Sequence, residues 1–165
     1  MVDIVDVAAH VRAVLAQLTT PSEIMPCDPA LADTAAFCAH YGIAPEDSAN
    51  TIVVVGKTEP PRYVACVVLA TTRLDVNGSV RKRLGVKKAS FADAAVTATL
   101  TGMTMGGVTA IGLPPGIPLW VDAAVMGRTS IVLGGGTRDA KIVAAPALLH
   151  ELPGVEIVEG LAKPA

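Results

Sequence analysis

The sequence predicts a mixed fold of the α/β class, α+β in type, with a mostly antiparallel sheet surrounded by helices. Three observations carry this. Two β-branched runs, NTIVVVGK from Asn50 and RYVACVVLA from Arg62, are separated by a turn containing Pro60 and Pro61 and read as a hairpin. Helical patterns fall between strands at irregular intervals, so no regular βαβ alternation runs through the chain. The 165 residues are 52% hydrophobic, 17% charged and 3% aromatic, which suits one globular domain over 1–165 with a core of aliphatic side chains.

In chain order, Ile4, Val7, Val11, Val14, Leu15 and Leu18 recur at helical spacing, giving an N-terminal helical extension over 1–20 that stops before Thr20 and Pro21. SEIM is short enough for a strand. Asp28 and Pro29 form a cap and first-turn pair, predicting a helix to about Tyr41 that ends at Gly42. The hairpin follows, and its unbroken apolar runs predict cover on both faces. Asp75 caps a short helix through Arg83 that stops at Gly85. Ser90 with Asp93 resembles a capping box, opening a helix through Leu100 that stops at Gly102. Strands are expected near 108–111, 119–123, 130–133 and 141–143, then a helix from Pro146 through Leu152 and a closing VEIV strand.

The net charge of −2 gives no overall attraction to polyanions. Asp3, Asp6, His10 and Arg12 interrupt any charged-then-apolar leader, so a cytoplasmic protein without membrane association is expected. The uncharged run 94–121 is long enough for a membrane span but is broken by five glycines and three prolines, and it reads as a buried helix, a glycine loop and a strand. Cys27, Cys38 and Cys66 are scattered and read as reduced core residues, and His40 as a surface or partly buried histidine. Nucleotide-phosphate glycine motifs, the G-x-S-x-G elbow and H-E-x-x-H are absent.

The stretch 101–136 organises the chain. Its glycine clusters, Gly106 and Gly107 and then Gly134 to Gly136, bracket a strand carrying Asp122. Glycine serves either as a tight turn between buried strands or as a pocket wall where a ligand approaches bare N–H groups. In RKRLGVKK, Arg81, Lys82, Arg83, Lys87 and Lys88 supply either a phosphate-backbone contact or a solvated helix exit.

With these pieces in hand, the sequence resembles the YbaK/prolyl-tRNA editing domain family. That family includes freestanding deacylases and the editing domain inserted in bacterial prolyl-tRNA synthetases. The resemblance rests on ANTIVVV, YVACVVLATTRLD with its basic helix, LGVKKASFAD, TGMTMGGVTAIG, LWVDAAV and IVLGGGTRDAKIVAAPALL, in order, from about Ala30 to Val158. It implies a compact, barrel-like mixed sheet and hydrolysis of the ester in mischarged aminoacyl-tRNA. It further implies no metal or other cofactor, and a pocket between the glycine loops for the aminoacyl group and terminal adenosine of the tRNA acceptor end. Carried over by position, Thr51 follows the catalytic position, Gly106 and Gly107 match the glycine pair of the GxxxP-type loop, Asp122 matches the acid on the next strand, and Gly135 and Gly136 match the later pair.

Ester hydrolysis passes through an oxyanion that preorganised N–H groups or a cation stabilise. The family places a lysine where this chain has Asn50, a neutral donor of shorter reach. Lys57 cannot replace it, lying seven residues or roughly 23 Å along the strand. Ala110 stands where the loop's proline is expected, and Lys141 where many relatives carry an acid. Lys141 is either a surface lysine on an edge strand or an ammonium entering the pocket from the opposite wall. Two functions follow: an aminoacyl-tRNA deacylase, or a module that captures a charged tRNA end or small aminoacyl-like ligand without turnover.

Overall fold

The computed structural model describes residues 6–165. Ile4, assigned by spacing to the first helix, lies outside the described residues. Asp6 caps α1 (Val7–Ala16) by accepting a hydrogen bond from the Ala9 amide at 3.0 Å. Val11 and Leu15 turn into the core, and His10 Nε2 lies 3.1 Å from the Gly112 carbonyl oxygen.

After β1 (Ser22–Pro26), the helix expected from Asp28 to Tyr41 is two pieces, a 3₁₀ turn at Pro29–Leu31 and α2 (Thr34–Tyr41). The break has a long-range cause. Asp33 is extended with ψ of 140°, and the Ala32 carbonyl accepts from Lys141 Nζ at 2.8 Å instead of continuing the helix. Gly42 then ends α2 with φ of +68°, a left-handed conformation that glycine tolerates.

The hairpin forms as expected from β2 (Ala49–Gly56) and β3 (Arg62–Leu69), antiparallel, with Asn50 opposite Val68. Then come β4 (Thr72–Leu74), a wide turn at Val76–Val80 capped by Asp75, and α3 (Arg81–Leu84), stopped by Gly85 at φ +71°. Ser90 lies in an edge strand, β5 (Ala89–Phe91), paired with β2, so the capping box does not form. Asp93 itself caps α4 (Ala94–Thr101) by accepting from the Val96 amide at 2.7 Å.

Residues 108–111 form no strand. Positive-φ glycines at 106 and 112 bracket them, and their donors are used locally, Thr109 N–H to Met103 Sδ and Ile111 N–H to Thr109 Oγ1. The chain continues with β6 (Leu119–Asp122), α5 (Ala123–Met126), β7 (Ile131–Gly134) and β8 (Ala140–Ala144). It ends with a 3₁₀ segment (Pro146–Glu151) where a helix was expected, β9 (Val155–Val158) and β10 (Ala162–Pro164).

These strands form a five-stranded sheet ordered β5-β2-β3-β6-β9, a three-stranded sheet ordered β1-β8-β7, and a pair β10-β4. Only β3 with β6 and β6 with β9 are parallel, so the sheets are mixed and mostly antiparallel. One parallel bridge, Ser48 to Val132, joins the two larger sheets into an open barrel-like wrap.

The apolar runs are legible here as packing. Ala65, Val67 and Leu69 of β3 enter one core with α1, while Val64, Cys66 and Val68 enter a second on the opposite face. Cys27, Cys38 and Cys66 are unpaired and buried, and burial pushes the Cys66 thiol up to about 12. No helix of the described residues is long and apolar enough to cross a membrane.

Glu151 fastens α1's exit to this frame. Its exposed carboxylate accepts from Thr19 N–H, Thr19 Oγ1 and Thr20 N–H at 2.7, 2.8 and 2.9 Å, bonds that lower its pKa from 4.5 to about 2. A carboxylate depressed in the folded state stabilises above its unfolded pKa and loses that contribution as pH falls through the folded one. Glu151→Gln is therefore expected to lower the thermal midpoint near neutral pH. Its difference from wild type should shrink between about pH 4.5 and 2, as followed by circular dichroism melts.

Candidate active site

The Ser48–Val132 bridge leaves a cavity of about 220 Å³ at the seam of the two larger sheets. The start of α2 supplies Ala32, Asp33, Thr34 and Phe37, and β2 supplies Asn50, Thr51 and Ile52. The loop after α4 supplies Met105, Gly106 and Val108, and β7 and β8 supply Gly134 and Lys141.

Lys141 is no edge-strand surface residue. Its strand is the middle one of three, the residue is only 7% exposed, and Nζ donates to Ala32 O at 2.8 Å and Gly106 O at 2.7 Å. Nζ also lies 5.2 Å from the Phe37 ring centre. Burial chiefly pulls its pKa below the ordinary 10.5. Cys27 opposes this, and the Arg138 guanidinium adds to it.

Arg138, which the sequence reading did not single out, braces the same wall. Its Nε donates to Pro29 O at 2.8 Å, and its terminal nitrogen donates to Asp33 at 3.0 Å and Met105 O at 2.9 Å. An arginine beside a glycine cluster was the available signal, but partners more than a hundred positions away were not.

On the facing wall, Asn50 Oδ1 accepts from Thr34 Oγ1 at 2.9 Å. Thr34 and Asn50 also line a shallower neighbouring depression of about 500 Å³, walled by Ala35, Cys38, Ile43 and Ala70. Thr51 is 8% exposed, and its hydroxyl is buried without a partner among the described residues.

The glycine segments meet main chain to main chain, and one glycine of each, Gly106 and Gly134, reaches the cavity wall. Gly136 N–H donates to Gly107 O at 2.6 Å, and a Cβ on Gly107 would lie 2.5 Å from Thr137 main chain. A Cβ on Gly136 would lie 2.6 Å from Val7 Cγ1. Gly107, Gly135 and Gly136 are thus packed main chain behind the cavity, while Gly106 and Gly134 face it. Asp122 lies elsewhere. It alternates with Val121 onto the other face of β6, is 4% exposed, and accepts from the Ala162 amide at 3.2 Å.

The basic run lies beyond the other end of β2, where Gly56 pairs with Ala89, roughly 20 Å along the strand from Asn50. Lys82, Lys87 and Lys88 are exposed. Arg83 pairs with Glu156 at 2.8 Å over Trp120, and Arg81 donates to the Asn77 and Val86 carbonyls. Among the described residues, no three His, Cys, Asp or Glu side chains gather as metal ligands.

Solved structures share this architecture. A candidate trans-editing enzyme for prolyl tRNA synthetase superimposes with a TM-score of 0.81 at 21% identity, over 96% of this chain and 98% of that one. A hypothetical protein, APE2540, does so with a TM-score of 0.82 at 24% identity, over 93% and 99%. The chain itself belongs to the aminoacyl-tRNA editing domain family, whose pattern it matches over residues 28–152.

Because Gly107 touches main chain that cannot rotate aside, Gly107→Ala is expected to destabilise the fold by about 1–3 kcal/mol. A urea midpoint would measure it, and Gly127→Ala, where the added Cβ would meet only the Ala124 carbonyl oxygen at 3.5 Å, is the control.

Proposed function

We propose that this cavity hydrolyses the ester of mischarged aminoacyl-tRNA. Membership of the editing-domain family carries the reading, together with a cavity flanked by an amide at Asn50 and an ammonium at Lys141. At about 220 Å³ the cavity is below the roughly 300–1,000 Å³ of sites for larger ligands, so it suits an aminoacyl group with the nucleoside outside. The exposed lysines of the basic run are available to acceptor-stem phosphates.

In this mechanism water attacks the ester carbonyl carbon, and the carbonyl oxygen takes negative charge near the Asn50 amide and Lys141. The C–O bond to ribose then breaks, and the ribose oxygen leaves with a proton. The lining residues include no histidine, and their one carboxylate, Asp33, is paired with Arg138. Proton transfer therefore falls to the substrate's own neighbouring ribose hydroxyl.

One observation favours a second reading, capture without turnover. Lys141 already spends two of its three N–H donors on carbonyls, and Asn50 offers no charge. Purified protein incubated with a panel of mischarged tRNAs separates the two. The deacylase reading expects amino-acid release that slows on the order of 10²- to 10³-fold in Asn50→Ala. Saturable binding with no release by wild type would overturn it in favour of capture.

A further inference from the structure

We propose that Thr34 is a positioning residue that fixes the rotamer of Asn50, so that its Nδ2 hydrogens, and not its oxygen, face the reacting ester. This rests on the deacylase reading of the cavity. An asparagine side chain differs from a lysine in carrying both a donor and an acceptor, so at this position it is ambiguous until something engages one end. The Thr34 hydroxyl does so, donating to Oδ1 at 2.9 Å across 16 residues of sequence. With the oxygen held, the donors are what Asn50 has left for a ligand. An amide oxygen pointed at a developing oxyanion would repel it, while an N–H would stabilise it.

The location fits this role. Thr34 and Asn50 are shared by the 220 Å³ cavity and the 500 Å³ depression beside it. A ligand spanning both, with its aminoacyl part in the first and its nucleoside in the second, crosses from one to the other at this hydrogen bond. Thr34 is the first residue of α2, and the preceding Asp33 is paired with Arg138 at 3.0 Å.

Thr34→Val keeps the shape and removes the donor, while Thr34→Ser keeps the donor. On the tRNA substrate that wild type turns over best, Thr34→Val is expected to lower kcat about tenfold with KM within about twofold, and Thr34→Ser to restore the wild-type rate. Asn50→Asp retains an acceptor for Thr34 but has no N–H, and it is expected to lose release as Asn50→Ala does. A readout independent of turnover is the Asn50 side-chain amide signal in proton–nitrogen NMR, assigned by its absence in Asn50→Asp. Adding amide-linked, non-hydrolysable aminoacyl-adenosines that carry the amino acids of the tRNA panel should shift it in wild type and Thr34→Ser but not in Thr34→Val.

Equal kcat for Thr34→Val and wild type, or full activity in Asn50→Asp, would overturn the inference while leaving the deacylase reading intact. No release by wild type but the expected pattern of shifts would overturn hydrolysis and retain the positioning role. No release and no shift would remove both.

Discussion

A buried ammonium held by two main-chain carbonyls is the constraint on which the rest of the site depends. Removing a lysine from water costs several kcal/mol unless its N–H groups are satisfied. At Lys141 the Ala32 and Gly106 carbonyls satisfy two of them through charge-assisted bonds, with the Phe37 face alongside. The pairing ties three remote pieces of chain together: β8, the start of α2 and the loop after α4. Arg138 repeats the tie from the loop before β8 through Pro29, Asp33 and Met105. The cavity is the space these cross-braces hold open beside β2.

The glycines acquire their meaning from the same arrangement. Gly107 and Gly136 permit main chain to pack on main chain, and α1 presses Val7 and Val11 against Gly136. Gly106, at φ +87°, turns its carbonyl to Lys141. A side chain at any of these positions would push the loop away from β8 and disturb the cavity's rear wall before touching a ligand. The glycine clusters thus shape the cavity mainly through the placement of Gly106 and Lys141.

What could be read from the sequence was what local chemistry determines. The β2–β3 hairpin announced itself through two β-branched runs around a proline turn, and its two-sided burial through the lack of alternation. Gly42, Gly85 and Gly102 ended helices as expected because a left-handed residue there is a local requirement. Failures came where a bond that spacing does not reveal overrode the pattern. The helix from Asp28 broke because Lys141, 109 residues on, takes the Ala32 carbonyl. Residues 108–111 looked like a strand, yet the flanking glycines and local bonds kept them out of a ladder. Asp122 was assigned to the pocket by resemblance, and strand alternation turns it to Ala162 instead. The reach of Lys141 into the cavity was weighed as one alternative, whereas its two acceptors and Arg138 lay beyond what spacing reveals.

Asn50 of β2 is neutral and the cavity's ammonium enters from β8, so the shape of the cavity rests on how firmly Lys141 is clamped. The most direct measurement is hydrogen exchange at single amides in Lys141→Met, a side chain of similar length with no ammonium. The amides of 32–34 and 105–107 are expected to exchange at least about tenfold faster than in wild type, while those of β2 and β3 keep their protection. Unchanged protection at both segments would contradict the account, because the α2 start and the glycine loop would then hold their places without the ammonium.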